Sequence, residues 1–346
     1  MERKIIDRME KTGQITQEEL SALLLCNDDK NMEYLAKRAR EMTWRYYGNK
    51  IYIRGLIEFT NFCRNDCYYC GIRRSNGNAE RYRLSEEDIL SAAGLGYRLG
   101  FRTFVLQGGE DPWFTDEKIC ALVSALKSNY PDCAVTLSIG EKKRDSYQAY
   151  FDAGADRYLL RHETADEVHY GKLHPPVLSL SDRRQCLYDL KDIGYQTGCG
   201  FMVGSPGQTI KTLFKDLMLI KELSPHMVGI GPFIPHRDTP FSQEAPGTIE
   251  RTLRLLSIIR LIHPRVLLPA TTALGTIHPD GRRQGILAGA NVVMPNLSPW
   301  HVREKYALYN GKVSSGGEAA EGLQALSEEL KHIGYQIAVE IGHSKV

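Results

Sequence analysis

The sequence predicts an α/β protein in which eight strands alternate with eight helices. From residue 51 onward, short β-branched or continuous apolar runs alternate with amphipathic stretches of helical period, which is the pattern of repeated βα units. No Pro/Gly/Ser linker interrupts this series, and 346 residues suffice for one barrel with extensions. The pattern favours a complete (β/α)8 TIM barrel with an N-terminal helical extension over a doubly wound open sheet. A partial, open barrel is the alternative, because periodicity does not establish closure.

The strand candidates are spaced along most of the chain. The intervening helices carry apolar residues three and four positions apart, most clearly in residues 89–100, 186–194 and 253–262. Residues 1–47 are interpreted as a polar N-terminal helical cap with a capping box at residues 16–19. The barrel is assigned to residues 48–310, and residues 311–346 to a C-terminal loop and closing helix. The strands are predicted to begin near Ile51, Thr103, Ala134, Arg157, Gly198, Met227, Val266 and Asn291.

Composition and charge limit the classes of function. The chain has 42% hydrophobic and 25% charged residues and a formal net charge of +2, as in ordinary soluble proteins. Basic residues are interspersed with acidic ones, so the basic patch of a nucleic-acid binder is missing. The N-terminus lacks an apolar signal segment, and no stretch approaches the roughly 18 apolar residues that span a bilayer. We therefore expect a cytoplasmic protein that binds small molecules or proteins, not nucleic acid or a membrane.

Three of the eight cysteines are clustered in one short segment. Cys63, Cys67 and Cys70 directly follow the first predicted strand. In a cytoplasmic chain such a cluster indicates metal or catalytic use rather than disulfides. Three thiolates can bind three irons of a cubane and leave the fourth iron open to a substrate. A zinc site would need a fourth Cys or His at close spacing, and none follows nearby. The other five are interpreted as buried core residues: Cys26, Cys120, Cys133, Cys186 and Cys199.

Polar residues follow nearly every predicted strand, at the face where barrel enzymes build their active sites. Gly108, Gly109 and Glu110 end the second strand. The two glycines would allow a ligand to approach the backbone, although the triplet alone is also a common turn. The polar residues at other strand ends are Thr136, Ser138, Arg161, Glu163, Thr271, Thr272 and those at positions 231–236 and 294–296.

Two of these strand ends favour structural roles. Strand alternation places Arg161 and Glu163 on one face and His162 on the other, which makes His162 a structural residue. Residues 204–209 (GSPGQT) lack the lysine of a phosphate loop. They are assigned to a strand-to-helix turn capped by Thr209.

The cysteine segment resembles the signature of the radical S-adenosylmethionine (SAM) superfamily, Cys-x3-Cys-x-aromatic-Cys. The resemblance implies a 4Fe-4S cluster on the three cysteines that reduces SAM and releases a 5′-deoxyadenosyl radical. It also implies a low-potential electron donor as a partner. Tyr69 would then lie near the adenine, and Gly108, Gly109 and Glu110 would meet the methionyl amino group.

Longer motifs are similar to the HydE family of FeFe-hydrogenase maturases, which is related to biotin synthase and methylornithine synthase. The strongest matches are LLRHETA, MVGSPGQTI, MVGIGPFIPHRDTP, PATTALGTI and ANVVMPN. This resemblance implies that Glu163 contacts the SAM ribose and Arg183 its carboxylate. It implies further SAM contacts from Thr136, Ser138, Met294 and Tyr306. The implied substrate pocket, which suits a carboxylate, comprises Arg161, Thr271, Thr272 and, more weakly, Arg54.

The same resemblance implies the chemistry. The substrate would be a cysteine-containing iron species with carbonyl and cyanide ligands, processed towards the diiron subcluster of the hydrogenase. The adenosyl carbon radical would attack the substrate's sulfur, although sequence does not separate this mode from hydrogen abstraction. Other hydrogenase maturases, HydG and HydF, would be partners. Some HydE proteins carry a second iron–sulfur cluster on C-terminal cysteines, but here no cysteine follows Cys199. The matching tract, residues 313–321, reads VSSGGEAAE, so we predict a single cluster.

Three alternatives stay open. A methylornithine synthase would use the same radical to rearrange lysine. A biotin synthase would need a cysteine inside the barrel, but Gly198 stands at that family's cysteine position and Cys199 is one residue late, hence on the opposite face. A non-catalytic iron–sulfur scaffold or redox sensor would hold the cluster without cleaving SAM.

Overall fold

The computed structural model of the chain describes residues 1–313 and 320–346. A short 3-10 helix, Ala320–Gly322, precedes the last α-helix. The α-helices are α1 (Glu2–Thr12), α2 (Gln17–Leu24), α3 (Asp29–Tyr47), α4 (Glu86–Arg98), α5 (Asp116–Asn129), α6 (Arg144–Asp152), α7 (Glu167–Leu173), α8 (Leu180–Ile193), α9 (Ile210–Leu223), α10 (Ile249–Ile262), α11 (Thr272–Ile277), α12 (Gly281–Leu287), α13 (Trp300–Arg303) and α14 (Leu323–His332). The strands are β1 (Lys50–Ile53), β2 (Gly55–Thr60), β3 (Thr103–Gly108), β4 (Ala134–Ser138), β5 (Arg157–Leu159), β6 (Gln196–Cys199), β7 (Met202–Val203), β8 (Met227–Val228), β9 (Gly231–Pro232), β10 (Val292–Val293) and β11 (Gln336–Ala338).

Six parallel strands form the main sheet, in the order β2-β3-β4-β5-β6-β8. Each strand except β8 is followed by at least one helix before the next strand of this sheet, because parallel neighbours require a crossover connection. A three-stranded sheet has the order β10-β1-β11, and β7 pairs with β9. The α/β class with parallel strands is therefore confirmed, and the predicted strand starts at Thr103, Ala134, Arg157 and Met227 match the structure.

Two predicted strands differ from the observed ones. The first is divided into β1 and β2 at Arg54. The seventh, predicted near Val266, pairs with its neighbours only through isolated bridges, Met227 to Leu267 and Pro269 to Val292. Pro269 has no N–H to donate to a ladder, and the N–H of Leu268 donates to the side chain of Asn291 at 2.9 Å. Among the described residues, the longest uninterrupted ladder thus spans six strands.

Helix caps account for where the predicted helices begin. Thr16 and Glu19 form the predicted capping box before α2. Thr209 accepts a hydrogen bond from the Thr212 N–H at the start of α9, as predicted for the turn at residues 204–209. At its other end, α8 is terminated by Gly194 with φ of 110°, a left-handed conformation that glycine adopts readily.

The N-terminal extension is packed on the main fold. Helix α3 lies against α10, and the Thr43 hydroxyl donates to the Gly289 carbonyl at 3.0 Å. Apolar residues of α1 to α3 belong to the same buried core as those of the sheet. The extension therefore shares its hydrophobic core with the sheet and helices.

The C-terminal segment contains a strand that the sequence analysis missed. Residues predicted only as a loop and a helix include β11, which pairs in parallel with β1. Beyond it, the carbonyl of Ile341 accepts hydrogen bonds from the Thr103 hydroxyl at 3.0 Å and from Arg157 at 3.1 Å. The tail thus covers the amino ends of β3 and β5. Over the described ranges, no helix is long and apolar enough to cross a membrane.

Candidate active site

A cavity of about 320 Å³ lies at the carboxyl ends of the parallel strands. It brings together most of the residues predicted for the site, although they come from elements far apart in the chain. The predicted residues that line it are Cys63, Cys67, Tyr69, Cys70, Gly108, Gly109, Glu110, Ser138, Arg161, Glu163, Arg183, Thr271, Thr272, Met294 and Tyr306.

Two predicted residues, Arg54 and Thr136, do not line this cavity. They border a separate cavity of about 10 Å³, together with Arg157 and Met227. Thr136 lies two residues before Ser138 on β4, which places it about 6–7 Å closer to the amino end of the sheet. Arg54 is buried, donates to the Met227 sulfur at 3.0 Å and has no hydrogen-bond partner at Nε. The roles assigned to both residues stay predictions, and their side chains border a different cavity from the one that holds the other predicted residues.

The cysteine loop follows β2 and is fixed by backbone hydrogen bonds to three other segments. The N–H of Tyr68 donates to the Leu173 carbonyl at 3.0 Å, and the N–H of Gly71 to the Leu308 carbonyl at 2.8 Å. The N–H of Arg64 donates to the Glu110 carbonyl at 2.9 Å. Cys63, Cys67 and Cys70 are thereby held against one wall of the cavity.

The three cysteines provide the donors that an iron–sulfur cubane needs. A cubane takes one thiolate for each of three irons, and all three cysteines line the same cavity. Burial raises the pKa of the Cys63 thiol. Burial and the neighbouring Cys63 raise the pKa of Cys70 to about 12. The free thiols are therefore protonated at neutral pH, and bound iron would supply the charge that deprotonates them.

Gly109, after β3, makes room for the cysteine loop, and Gly140, after β4, makes room for Glu110. A Cβ at Gly109 would lie 2.2 Å from the Phe62 carbonyl oxygen. A Cβ at Gly140, whose φ is +76°, would lie 2.2 Å from Cγ of Glu110. The Glu110 carboxylate is buried, where it accepts hydrogen bonds from Arg64 Nε and from the Glu141 N–H, both at 2.9 Å. This carboxylate is held in one orientation at the cavity wall.

Two arginines and two glutamates form a charged cluster beside Glu110. Arg183, on α8, forms an ion pair with Glu141 and donates to the Arg161 carbonyl at 2.6 Å. Despite desolvation, the nearby Tyr170 and Glu141 hold the pKa of Arg183 above its usual range. Arg161 NH2 forms an ion pair with Oε2 of Glu163 at 3.1 Å, whereas Arg161 Nε is buried without a hydrogen-bond partner. The Nε–H group of Arg161 is thus available to a ligand.

Glu163 has a left-handed backbone, with φ of 63°, which is rare for a residue other than glycine. Residues on both sides of Glu163 contact Asp216 on α9. Asp216, which is fully buried, accepts a hydrogen bond from the Ala165 N–H at 2.5 Å. Its carboxylate also lies 3.4 Å from Nε2 of the buried His162. His162 accordingly packs away from the cavity, as predicted, and together with Asp216 holds the turn that carries Glu163.

Tyr69 is held by a buried histidine. Its hydroxyl lies 3.3 Å from Nε2 of His174, and the His174 ring stacks on Tyr170 with centroids 4.0 Å apart. Burial and the nearby Arg183 lower the pKa of His174 to about 3. The imidazole is therefore neutral at physiological pH and orients the Tyr69 ring along the cavity wall.

The remaining predicted residues complete the far side of the cavity. The Thr271 hydroxyl donates to the Ile230 carbonyl at 3.3 Å. The Tyr306 hydroxyl lies 3.5 Å from Gln107 Nε2, and burial raises its pKa well above the usual value. Met294 contributes to the apolar surface of the cavity, together with Leu159 and Leu160.

The sequence analysis missed an ion pair in the cavity. Lys312 Nζ lies 2.5 Å from Oε1 of Glu58 on β2, and the Asn296 amide donates to Oε2 of the same carboxylate at 2.8 Å. Lys312 also donates to the Tyr306 carbonyl at 3.1 Å. A carboxylate within the otherwise apolar run of β2 was the available signal, but its partner lies 254 positions away.

The prediction that no second cluster is present depends on residues 313–321. Positions 314–319 of this tract lie outside the described residues. The lack of cysteines after Cys199 is a property of the sequence alone, so the single cluster stays a prediction.

Comparisons with known proteins agree with the geometry of the cavity. Residues 57–220 match the Radical SAM superfamily. The chain is 47% identical to the FeFe hydrogenase maturase subunit HydE of Thermotoga maritima, over 90% of this chain and 88% of that protein. It is 30% identical to the 3-methylornithine synthase of Methanosarcina acetivorans, over 94% of this chain and 91% of that protein.

A solved structure shows the same relationship in three dimensions. The crystal structure of methylornithine synthase (PylB) superposes with a TM-score of 0.86 at 26% identity, and the match covers 96% of this chain and 97% of that one. The region that matches the Radical SAM superfamily, residues 57–220, includes the cysteine loop, β3, β4 and the turn at Glu163. The chain is therefore a radical SAM enzyme and belongs to the family of HydE.

Proposed function

We propose that this enzyme cleaves SAM reductively to help assemble the active-site cluster of FeFe-hydrogenase. The observation that carries the proposal is the 47% identity to a HydE subunit over 90% of the chain. The cavity supports it, because the three cysteines and a charged pocket line the same space. Bound to Cys63, Cys67 and Cys70, a 4Fe-4S cluster would supply the electron that splits SAM into methionine and a 5′-deoxyadenosyl radical. The chain itself binds, orients and shields the reactants.

The proposed SAM contacts follow the polar atoms along the cavity wall. Glu163 lines the cavity, and its carboxylate suits ribose hydroxyls. Arg183 is immobilised through Nε and NH1, so its guanidinium is preorganised for the SAM carboxylate. Glu110 would receive the methionyl amino group. The other proposed SAM contacts are Tyr69, Gly108, Gly109, Ser138, Met294 and Tyr306.

The proposed substrate pocket is formed by Arg161, Thr271 and Thr272. Arg161 Nε is buried without a hydrogen-bond partner, and NH2 of the same side chain is paired with Glu163. Leaving such a donor unsatisfied costs about 1–3 kcal/mol, so a bound carboxylate would relieve this cost. We propose a small cysteine-derived iron carbonyl cyanide species as substrate, with transfer of the adenosyl carbon to its sulfur. Hydrogen abstraction from the same substrate is the alternative mode.

Anaerobic turnover tests this proposal. The reconstituted enzyme is given dithionite, SAM and either a synthetic cysteine-bound iron carbonyl cyanide complex or lysine. We expect an adenosylated or iron-containing product with the first substrate only, identified by mass spectrometry. An intact cluster that yields neither 5′-deoxyadenosine nor an adenosylated product would refute the proposed chemistry.

Lysine mutase activity of the methylornithine synthase type is the second candidate. It is favoured by 30% identity to a 3-methylornithine synthase and by the structural match to PylB. A lysine substrate also carries a carboxylate for Arg161. Formation of 3-methylornithine from lysine, with no conversion of the iron complex, would select this candidate.

We also infer that the strands close into a complete barrel around the cavity. Closure is supported by the bridges Met227 to Leu267, Pro269 to Val292 and Leu56 to Asn296. The first bridge joins β8 to the segment at residues 266–269, and the second joins that segment to β10. The third joins β2 to residues that follow β10. Residues 48–310 would then form the barrel, with residues 1–47 as its helical cap and residues 311–346 as its C-terminal loop and closing helix.

We propose one cluster and a set of protein partners for the reaction. The sequence contains no cysteine after Cys199, which supports a single 4Fe-4S cluster. The similarity to HydE supports a role beside other hydrogenase maturases, HydG and HydF. Co-purification from cells that express all three maturases, followed by measurement of iron per chain, tests both proposals.

A further inference from the structure

A cationic and aromatic surface borders the cysteine loop. We call it the rim patch and define it as Phe62, Arg64, Arg83, Trp113 and Lys118. Phe62 and Arg64 are the immediate chain neighbours of Cys63, so their Cα atoms lie about 3.8 Å from that of a cluster ligand. Trp113 is 46% exposed despite its size.

The contacts within the patch keep its cations at the surface. Arg83 lies 3.7 Å from the centroid of the Phe62 ring, and Lys118 Nζ lies 3.2 Å from the centroid of the Trp113 ring. Arg83 also lies 5.6 Å from Trp113. These cation–π contacts join Phe62, Arg83, Trp113 and Lys118 into one continuous surface, and Arg64 lies two residues after Phe62 in the chain.

The carboxylates that pair with the patch are buried beneath it. Arg64 pairs with Glu110, and their side chains are 59% and 7% exposed. Arg83 pairs with Asp111, and their side chains are 32% and 1% exposed. Solvent therefore meets the positive ends of both pairs.

We propose that the rim patch is the docking surface for a small acidic protein that carries one low-potential electron. This inference rests on the proposed function, because reductive cleavage of SAM consumes an electron from outside the chain. One electron passes from the reduced carrier to the oxidised cluster, the carrier is oxidised by one electron, and no bond or proton is exchanged in that step. Exposed Trp and Arg side chains suit an interface centre, and exposed cations steer an acidic partner.

The test compares Lys118→Glu with a matched control, Lys221→Glu. Lys118 lies in the first turn of α5, beside the cavity mouth, whereas Lys221 is exposed in the last turn of α9. Helix carboxyl ends lie at the opposite end of βα units from the site. A reduced, acidic ferredoxin serves as probe. Its Kd is measured at low and high salt with both cluster-loaded and cluster-free chains, and 5′-deoxyadenosine formation is driven in parallel by ferredoxin or by dithionite.

We expect Lys118→Glu to raise the ferredoxin Kd roughly threefold to tenfold at low salt, with little effect near 1 M salt. Ferredoxin-driven SAM cleavage should slow by a similar factor at subsaturating ferredoxin, while dithionite-driven cleavage stays unchanged. Lys221→Glu should behave as the wild type. Equal ferredoxin affinity in both variants, or no salt-dependent binding to the wild type, would overturn the docking proposal. If dithionite does not drive SAM cleavage by the cluster-loaded wild type, the proposed function is refuted instead.

Discussion

Replacing Gly109 by alanine should displace the cysteine loop and impair cluster binding. The added Cβ would lie 2.2 Å from the Phe62 carbonyl oxygen, 2.9 Å from the Phe62 carbonyl carbon and 2.7 Å from Cys63 Cβ. Two of these atoms are backbone, so no side-chain rotation relieves the contact. Reaching an ordinary separation requires a shift of roughly 1 Å, and overpacking of this kind costs about 1–3 kcal/mol. The shift falls on the segment that positions Cys63 as a cluster ligand.

The assay is iron content after anaerobic reconstitution, together with the visible absorbance of the cluster. Gly77→Ala is the matched control, because it adds the same methyl group shortly after the cysteine loop at a position with no heavy atom within 4 Å. We expect Gly77→Ala to bind about as much iron as the wild type and Gly109→Ala to bind less than half as much. Far-ultraviolet circular dichroism verifies that both chains fold. Full iron content and normal SAM cleavage in a folded Gly109→Ala protein would refute the steric argument.

Two further predictions concern buried polar contacts. Asp216→Ala removes the acceptor of the Ala165 N–H and the carboxylate beside His162, so urea unfolding should show a loss of about 2–4 kcal/mol, while Asp216→Asn, which keeps one oxygen, should lose less. Because the pKa of His174 is lowered to about 3, an unfolded chain binds a proton below pH 6.5 that the folded chain does not. Stability should therefore fall as pH decreases from about 6.5 towards 3, by roughly 1.5 kcal/mol between pH 6.5 and 5. His174→Gln should flatten this dependence, and an unchanged slope in that variant would contradict it.

Local spacing explains why the cysteine triad could be predicted. Cys63, Cys67 and Cys70 lie within eight residues, and the loop that contains them follows a strand whose apolar run is recognisable. The strand starts at Thr103 and Ala134 were predictable for the same reason. In both cases the residues that determine the feature are close together in the sequence or recur with a regular period, so the sequence pattern alone predicts the feature.

The position of a side chain along its strand, relative to the cavity, was not predictable in the same way. Thr136 and Ser138 share one face of β4, since side chains alternate with a period of two. Pattern alone therefore placed both in the site, whereas the structure puts only Ser138 on the cavity. How far a cavity extends between the strands depends on side chains from other strands, here Arg157 and Met227, which fill the space below.

Pairings across long stretches of chain were also missed. The Glu58 to Lys312 ion pair joins positions 254 residues apart, and β11 pairs with β1 from the other end of the chain. Strand β11 has only three residues, too few for a clear alternation. Such contacts are determined by the tertiary packing of the whole chain, which no local sequence pattern contains.

The turn at Glu163 shows how long-range packing shapes the cavity. A left-handed residue costs about 1–2 kcal/mol, and the adjacent Arg161 pairs with Glu163 while its Nε is buried without a hydrogen-bond partner. Packing of His162 against Asp216 on α9 maintains this arrangement. Arg161 and Glu163 both line the cavity, so the conformation of its charged wall is determined by residues outside the cavity. A ligand that binds this wall would therefore not have to reorder the turn.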